Sequence, residues 1–208
     1  MSKPRARQRL TREERHVQLI ETAWRIIRAE GTEALTLGQL ALRAGITKPV
    51  VYDHFTSRSG LLAALYKEYD KRQTALMDER IRKTEPEIEK LAAVIASAYI
   101  ECELQQGREM PNVMAALTGT PELEQIRQDY ATAFTGKCRE LFAPFCDGQP
   151  LHEAALRGML GSAEGLAYAA AKGVITERQA KDELFQVIIS MVRRNAPGAN
   201  ADHDEETG

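Results

Sequence analysis

The sequence predicts an all-α protein, and two observations carry this prediction. Strand signals are almost absent, because there is no sustained alternation of apolar and polar residues and no Asn-Gly or Asp-Gly turn between β-branched runs. Helix starts are frequent instead. Three segments have the capping-box spacing, in which a hydroxyl and a carboxylate or amide side chain satisfy free N–H groups of the first turn: Thr11 with Glu14, Thr36 with Gln39, and Thr176 with Gln179.

The first four helices are predicted near residues 12–29, 36–43, 47–54 and 57–82. The Thr11 box begins the first of them, and Gly31, which tolerates the left-handed conformation, ends it. Thr36 and Gly45 bound the second helix in the same way, and Thr47 is expected to cap the third.

Five further helices are predicted near residues 86–105, 111–118, 121–144, 150–172 and 176–194. The first three begin with a proline, whose missing N–H costs no hydrogen bond in a first turn: Pro86, Pro111 and Pro121. Gly107 and Gly173 are expected to end the first and the fourth of these helices. Residues 196–208 are short and polar, and we expect them to form a disordered tail.

Charge is distributed unevenly along the 208 residues. Residues 1–75 carry 14 Lys or Arg and 8 Asp or Glu, whereas residues 76–208 carry 14 and 22. The formal net charge of −2 therefore combines a basic first third with an acidic remainder. This asymmetry indicates an anionic partner, such as nucleic acid, for the first third only.

Several classes of protein are disfavoured. No run approaches the roughly 18 apolar residues of a membrane span, and the N-terminus lacks the apolar segment of a secretory signal. The cysteines Cys102, Cys138 and Cys146 form no CxxC pair and have no nearby His cluster. We therefore expect buried, reduced thiols in a cytoplasmic protein that has no metal site and no cofactor.

An all-α enzyme is also disfavoured. Glu101 and Glu103 are two residues apart and so lie on different helix faces, and His152 with Glu153 has no Ser, Cys or metal-ligand partner at a useful spacing.

Residues 36–55 have the pattern of a helix-turn-helix. In the first helix, apolar residues recur at i, i+3, i+4 and i+7: Leu37, Leu40, Ala41 and Ala44. Gly45 breaks that helix, and Ile46 and Val51 stand at the positions of a hydrophobic staple around Thr47. Such a pair of short helices presents its second member to the major groove of DNA.

The second helix has one apolar face, which Val51 and Phe55 share at 100° per residue. The other positions lie opposite this face or flank it: Pro49, Val50, Tyr52, Asp53 and His54. Contact with a partner explains this composition better than burial does.

The combination closely resembles the TetR family of bacterial transcriptional regulators. The resemblance spans about 50 residues and is carried by Ile20-x-x-Ala23-Trp24-x-x-Ile27, Gly31, Leu35-Thr36, Leu40-Ala41-x-x-Ala44-Gly45-Ile46, Val51-Tyr52-x-His54-Phe55 and Ser57-Arg58-x-x-Leu61-Leu62. It implies a DNA-binding domain at residues 12–56, with the helix-turn-helix at about 36–55, and a helical effector-binding and dimerisation domain at 57–195. It also implies a homodimer on a palindromic operator.

Carried over position by position, the resemblance gives Thr36 a phosphate contact, and gives Lys48, Tyr52 and His54 contacts to phosphate or base edges. Arg58 replaces the usual lysine beside the DNA backbone, and Gly38 stands where many relatives have a side chain that touches DNA. The full candidate set for DNA contact is Thr36, Gln39, Thr47, Lys48, Pro49, Val50, Tyr52, Asp53, His54 and Arg58.

Side-chain chemistry leaves alternatives open at four of these positions. Lys48 could bond guanine O6 and N7, Val50 could touch a thymine methyl, and Asp53 could accept from cytosine N4. Asp53 could equally form an intramolecular pair, since a carboxylate repels phosphate, and Tyr52 could pack in the core.

A basic arm at residues 1–11 precedes the first helix. Its cations stand at every second position, and they either follow a minor groove or remain on a solvated tail: Lys3, Arg5, Arg7 and Arg9.

The remaining helices carry no motif of chemistry. Residues 150–194 are assigned to the dimer interface by the resemblance, because 150–172 is rich in small residues and the last helix has an apolar stripe: Leu184, Val187, Ile188, Met191 and Val192. Packing within the chain is the alternative explanation of that stripe. An effector pocket is expected among residues 86–165, with soft or amphipathic residues as candidate lining: Tyr99, Cys102, Met110, Met114, Tyr130, Phe134, Cys138, Phe142 and Met159.

These features predict a homodimeric repressor that binds double-stranded operator DNA and is released by an unknown small molecule. Two alternatives remain: an activator of the same build, and a DNA-binding or interaction module that does not read sequence. The expected location is the bacterial cytoplasm, with nucleoid association when the protein is bound to DNA.

Overall fold

A computed structural model describes residues 10–146 and 150–195, apart from the side chains of 107–109. Within these ranges the chain forms nine α-helices and no strand, which confirms the predicted all-α class. The helices are α1 Arg12–Glu30, α2 Leu37–Ala44, α3 Lys48–His54, α4 Arg58–Arg82, α5 Ile88–Glu109, α6 Pro111–Leu117, α7 Pro121–Phe142, α8 Glu153–Ala171 and α9 Glu177–Arg194. Short 3-10 turns cover Thr32–Ala34 and Ala143–Phe145. The predicted arm cations at positions 3, 5, 7 and 9 and the predicted disordered tail at 196–208 lie outside the described residues.

The predicted helix starts are largely confirmed. Both hydrogen bonds of the capping box form at Thr11 and at Thr176, and the Thr36 hydroxyl accepts from the Gln39 N–H at 3.1 Å. The prediction for Thr47 is wrong in one respect. Thr47 occupies the N-cap of α3, but its side chain makes no capping hydrogen bond.

Two predicted boundaries of α5 are wrong. Gly107 does not end this helix, which continues to Glu109, because an interior glycine costs only about 1 kcal/mol relative to alanine and leaves the hydrogen bonds intact. Pro111 is the more effective stop and begins α6. At the other end, Pro86 precedes the helix, since Glu87 is its extended N-cap residue.

The contacts divide the chain into two compact units. Unit 1 is the described part of Met1–Tyr69 with Asn112–Leu123, and unit 2 is Asp70–Pro111 with the described part of Glu124–Gly208. The division falls within α4, whereas the sequence prediction ended the DNA-binding domain at residue 56.

Unit 1 is built around the packing of α2 against α1 and α3. Its core residues recur at helical spacing and include Leu19, Ile20, Ala23, Ile26, Leu35, Leu40, Val51, Phe55, Leu61, Leu62 and Leu65. Leu35 and Leu40, which stand on either side of the Thr36 N-cap of α2, are fully buried. Burial of these apolar side chains fixes α2 and α3 on the surface of the unit.

Unit 2 is centred on α5, α8 and α9, which pack against one another. The core includes Ile95, Tyr99, Ile100, Phe134, Cys138, Phe142, Leu156, Met159, Leu184, Ile188 and Val192. All three cysteines are buried and form no disulfide, and burial raises the pKa of the Cys102 and Cys138 thiols to about 12. These thiols are therefore protonated packing groups at neutral pH.

Across the described residues, no helix is long and apolar enough to cross a membrane. The same part of the chain holds no group of three or more His, Cys, Asp or Glu residues arranged to bind a metal ion.

Candidate nucleic-acid interface

The turn between α2 and α3 depends on Gly45. Gly45 adopts φ 66° and ψ 36°, the left-handed conformation that a side chain disfavours. Its N–H bonds to the carbonyls of Ala41 and Leu42, and the Ile46 N–H bonds to the Ala41 carbonyl at 3.1 Å. These bonds satisfy the last carbonyls of α2 and direct the chain immediately into α3.

Helix α3 is anchored by its apolar face, as predicted. Val51 is fully buried and Phe55 is 3% exposed, and the Phe55 N–H bonds to the Val51 carbonyl at 2.9 Å. On the opposite face Pro49 and Asp53 are solvent-exposed, and Lys48 is exposed as the first residue of the helix. A short helix held this way presents a fixed set of side chains to a partner.

Tyr52 belongs to the exposed face. Its side chain is 54% exposed, so the alternative that Tyr52 packs in the core is wrong. The partly buried Val50 and His54 flank the face, and Thr36, Gln39 and Thr47 stand near the start of α2 and α3. The structure therefore places these candidates on two adjacent helices of unit 1, and their contacts with DNA stay predictions.

A cluster of basic side chains lies where the end of α3 meets the start of α1. The His16 and His54 rings are 5.8 Å apart between centroids, and His16 is 5.3 Å from the ring of Phe55. Arg12 donates from Nη2 to the Asp53 carbonyl at 3.4 Å. Burial lowers the pKa of His54, and the neighbouring His16 and Arg12 charges lower it further. In the absence of a partner molecule, protonation of His54 at this site is therefore disfavoured.

Arg58 has a structural role that the resemblance did not provide. Its Nε donates to the Leu35 carbonyl at 3.0 Å, and one Nη donates to the Thr32 carbonyl at 2.9 Å and to the exposed Glu33 carboxylate at 3.3 Å. The start of α4 is thus tied to the 3-10 turn that precedes α2. Arginine supplies the two directed donors that a lysine ammonium would supply less well. Its phosphate contact remains a prediction.

The predicted effector-pocket residues do not form one group. Tyr99, Tyr130 and Phe134 lie together, with ring centroids between 5.1 and 6.4 Å apart. Cys138, Phe142 and Met159 are buried in the core of unit 2, as Tyr99 and Phe134 are. Cys102 and Met110 are also buried, whereas Met114 belongs to unit 1. The role of these residues in ligand binding remains a prediction.

Unit 2 holds a partly buried acidic residue, Glu103, that was not among the predicted site residues. Burial, together with the nearby charges of Glu164 and Asp70, raises the pKa of Glu103 to about 7. Glu101, by contrast, accepts from Arg80 at 2.7 Å and from Lys181 at 2.6 Å. The sequence shows that Glu103 stands in an apolar stretch of α5. It does not show which acidic residues lie near Glu103, because these come from other helices.

The apolar stripe of α9 packs within its own chain. Leu184, Ile188, Met191 and Val192 are almost fully buried in unit 2, and the half-buried Val187 packs against the same core, so the assignment of this stripe to a partner-sealing surface is wrong. The amphipathic pattern was correct, but α5 and α8 cover the stripe. An open groove remains on the outer side of α8 and α9, lined by small and polar residues that include Ala154, Gly158, Ser162, Gln186 and Ser190.

Comparison with known proteins finds a family whose model matches the helix-turn-helix region of this chain. Residues 19–65 match the model of the family described as bacterial regulatory proteins, tetR family. The HTH-type transcriptional activator FasR of Mycolicibacterium smegmatis is 30% identical over 91 residues, which are 44% of this chain and 42% of that protein. The chain therefore spans less than half the length of this curated relative.

Solved structures share the fold of nearly the whole chain. A putative transcriptional regulator from Pseudomonas aeruginosa PAO1 has a TM-score of 0.63 at 17% identity, over 89% of this chain and 93% of that one. The multidrug binding protein EbrR, solved in complex with imidazole, also has a TM-score of 0.63 at 17% identity, over 89% of this chain and 97% of that one. A putative TetR-family regulator from Rhodococcus sp. has a TM-score of 0.61 at 17% identity over 86% and 99%. At these identities, the likeness extends to the fold alone.

Proposed function

We propose that this chain is a transcriptional regulator of the TetR family and that it binds a palindromic DNA operator as a homodimer. The observation that carries the proposal is the presentation of α3. Val51 and Phe55 hold the helix, while Lys48, Pro49, Tyr52 and Asp53 remain exposed on it. The left-handed turn at Gly45 leads the chain into this helix. A basic first third supplies the electrostatic attraction to phosphate.

Dimerisation would be provided by residues 150–194, through the outer side of α8 and α9 rather than through the buried α9 stripe. The exposed glycines Gly158, Gly161 and Gly165 repeat along α8 and would let a partner helix approach closely. A dimer reads two half-sites about 34 to 36 Å apart, or a multiple of that distance.

Repression relieved by a small-molecule effector is the form of regulation that we propose. The effector would bind within unit 2 and lower operator affinity, which requires different affinities of the two states for DNA. Activation is the second candidate, and the activator FasR favours it. Either regulator would act in the bacterial cytoplasm and associate with the nucleoid when it is bound to DNA.

Selection of duplexes from a random library by the full chain tests the proposal. We expect enrichment of an inverted repeat, and fluorescence anisotropy should then show weaker binding of that duplex by Lys48→Ala and Tyr52→Ala. Lys83→Ala is the matched control, since Lys83 is an exposed lysine of unit 2. No enriched sequence, or equal affinity of all four proteins, would refute the proposed function. A reporter gene placed behind the selected duplex distinguishes repression from activation.

A further inference from the structure

Gly38 lies beneath the side chain of Lys48. A Cβ atom added to Gly38 would be 3.6 Å from Lys48 Cε, 4.0 Å from Lys48 Nζ and 3.9 Å from Thr36 Oγ1. Gly38 is within the first turn of α2 and Lys48 is the first residue of α3, so this contact joins the two helices of the helix-turn-helix.

Backbone conformation does not explain a glycine at this position. Gly38 is absent from the positive-φ glycines of the described chain, which are Gly31, Gly45, Gly119 and Gly173. An alanine methyl would meet its neighbours at ordinary van der Waals distances and would favour the helix. A longer side chain, by contrast, would compete with the Lys48 stem for the same space.

Two side chains that carry hydrogen-bond donors border the space above Gly38. Lys48 Nζ and Thr36 Oγ1 both lie within 4.0 Å of the same point above Gly38. The Thr36 oxygen already accepts from the Gln39 N–H, and its hydroxyl retains a proton that it can donate. An ammonium beside a hydroxyl suits an anion with several acceptor oxygens, because lysine binds phosphate as a point charge.

We propose that Gly38 is a positioning residue: it seats the Lys48 ammonium beside the Thr36 hydroxyl, so that the pair binds one DNA phosphate and Lys48 does not read a base. This inference rests on the proposed DNA-binding function. The sequence left open whether Lys48 contacts phosphate or guanine, and the inference selects phosphate. It also explains why position 38 has no side chain.

The test compares the full-length wild type with Lys48→Ala, Gly38→Leu, Gly38→Ala and the Gly38→Leu/Lys48→Ala double variant. Anisotropy gives the dissociation constants for the selected operator and for an unrelated duplex of equal length, at several salt concentrations. Circular dichroism checks that each variant is folded.

Lys48→Ala is expected to weaken binding of both duplexes by the same factor, roughly 10-fold, and to reduce the salt slope by about 1 for each half-site. Gly38→Leu should reproduce both effects, and the double variant should bind no more weakly than either single variant. Gly38→Ala should keep the wild-type slope, because its methyl group leaves the Lys48 stem in place.

Three results would overturn the inference. The first is that Lys48→Ala loses more affinity for the operator than for the unrelated duplex. The second is an unchanged salt slope of binding in a folded Gly38→Leu protein, and the third is that the losses of affinity add in the double variant. A wild-type chain that did not prefer the operator would instead refute the proposed function itself.

A second measurement does not depend on the folding of Gly38→Leu. Single methylphosphonate substitutions along the operator remove one phosphate charge at a time. One position per half-site should weaken wild-type binding and have no further effect on Lys48→Ala, whose replaced side chain is exposed. If every substitution weakened both proteins equally, Lys48 would have no phosphate of its own and the inference would be wrong.

Discussion

Replacement of Arg58 tests the structure of the DNA-binding unit most stringently. The guanidinium donates to the carbonyls of Leu35 and Thr32 at 3.0 and 2.9 Å, and these carbonyls border the turn that leads into α2. Arg58→Met removes both charge-assisted bonds. Arg58→Lys keeps the charge but supplies a single ammonium in place of two directed donors.

The expected loss follows from those two bonds. A hydrogen bond to a charged group contributes about 1.5 to 3 kcal/mol, and the side chain of Arg58 is 36% exposed, so the lower end applies to each bond. We expect Arg58→Met to lower the free energy of unfolding of unit 1 by about 3 kcal/mol and Arg58→Lys by about 1 to 2 kcal/mol. The Glu33 carboxylate is almost fully exposed and should add little.

Urea unfolding followed by tryptophan fluorescence measures this loss. Trp24 is the single tryptophan and lies in α1 of unit 1, so its emission reports on the relevant unit. Arg43→Met is the control, because it removes an arginine whose partner, Glu30, is exposed, and it should cost below about 1 kcal/mol. If Arg58→Met and Arg58→Lys unfolded like the wild type but bound DNA weakly, Arg58 would be a phosphate ligand without the structural role described above.

Three further predictions use the same unit or the acidic interior of unit 2. Gly45→Ala should destabilise unit 1 by about 1 to 2 kcal/mol because φ is 66°, whereas Gly38→Ala should stabilise it by up to about 1 kcal/mol; equal urea midpoints for the two would contradict the assigned conformations. The pKa of His54 is lower in the folded protein, so the unfolded state takes up a proton first and stability should fall as the pH drops through about 6.5. His54→Gln should reduce this loss of stability between pH 7.5 and 5.5. An unchanged loss would exclude His54 as its source. The pKa of Glu103 is raised to about 7 in the folded protein, so the folded state keeps this proton to a higher pH than the unfolded state, and stability should fall as the pH rises from 4.5 to 7. Glu103→Gln should therefore melt at a higher temperature than wild type at pH 8 but not at pH 4.5. Equal melting curves at pH 8 would show that Glu103 is not buried among acids.

Local signals predicted the elements of this fold well. The Thr11 and Thr176 boxes and the glycine turn at Gly45 depend on residues within a few positions of one another, and each is found where the spacing indicated. The inward face of α3 followed from helical periodicity alone. Gly107 was misread because a single glycine does not prevent a helix from continuing.

Long-range features were not accessible from the sequence. An amphipathic stripe shows that α9 buries one face, but it does not show that α5 and α8 of the same chain cover it. The tie from Arg58 to Thr32 joins residues 26 positions apart through backbone carbonyls, which carry no sequence signal. Glu103 meets Asp70 and Glu164 only once α4, α5 and α8 have packed.

The specificity ratio of DNA binding tests the central claim most directly. The affinity of the full chain for its selected inverted repeat is compared with that for a scrambled duplex of equal length and composition, at physiological salt. A sequence-reading homodimer predicts binding of the repeat at least about 1,000-fold more tightly, with two protomers on each duplex. Equal affinity for the two duplexes would contradict the claim that α3 reads an operator.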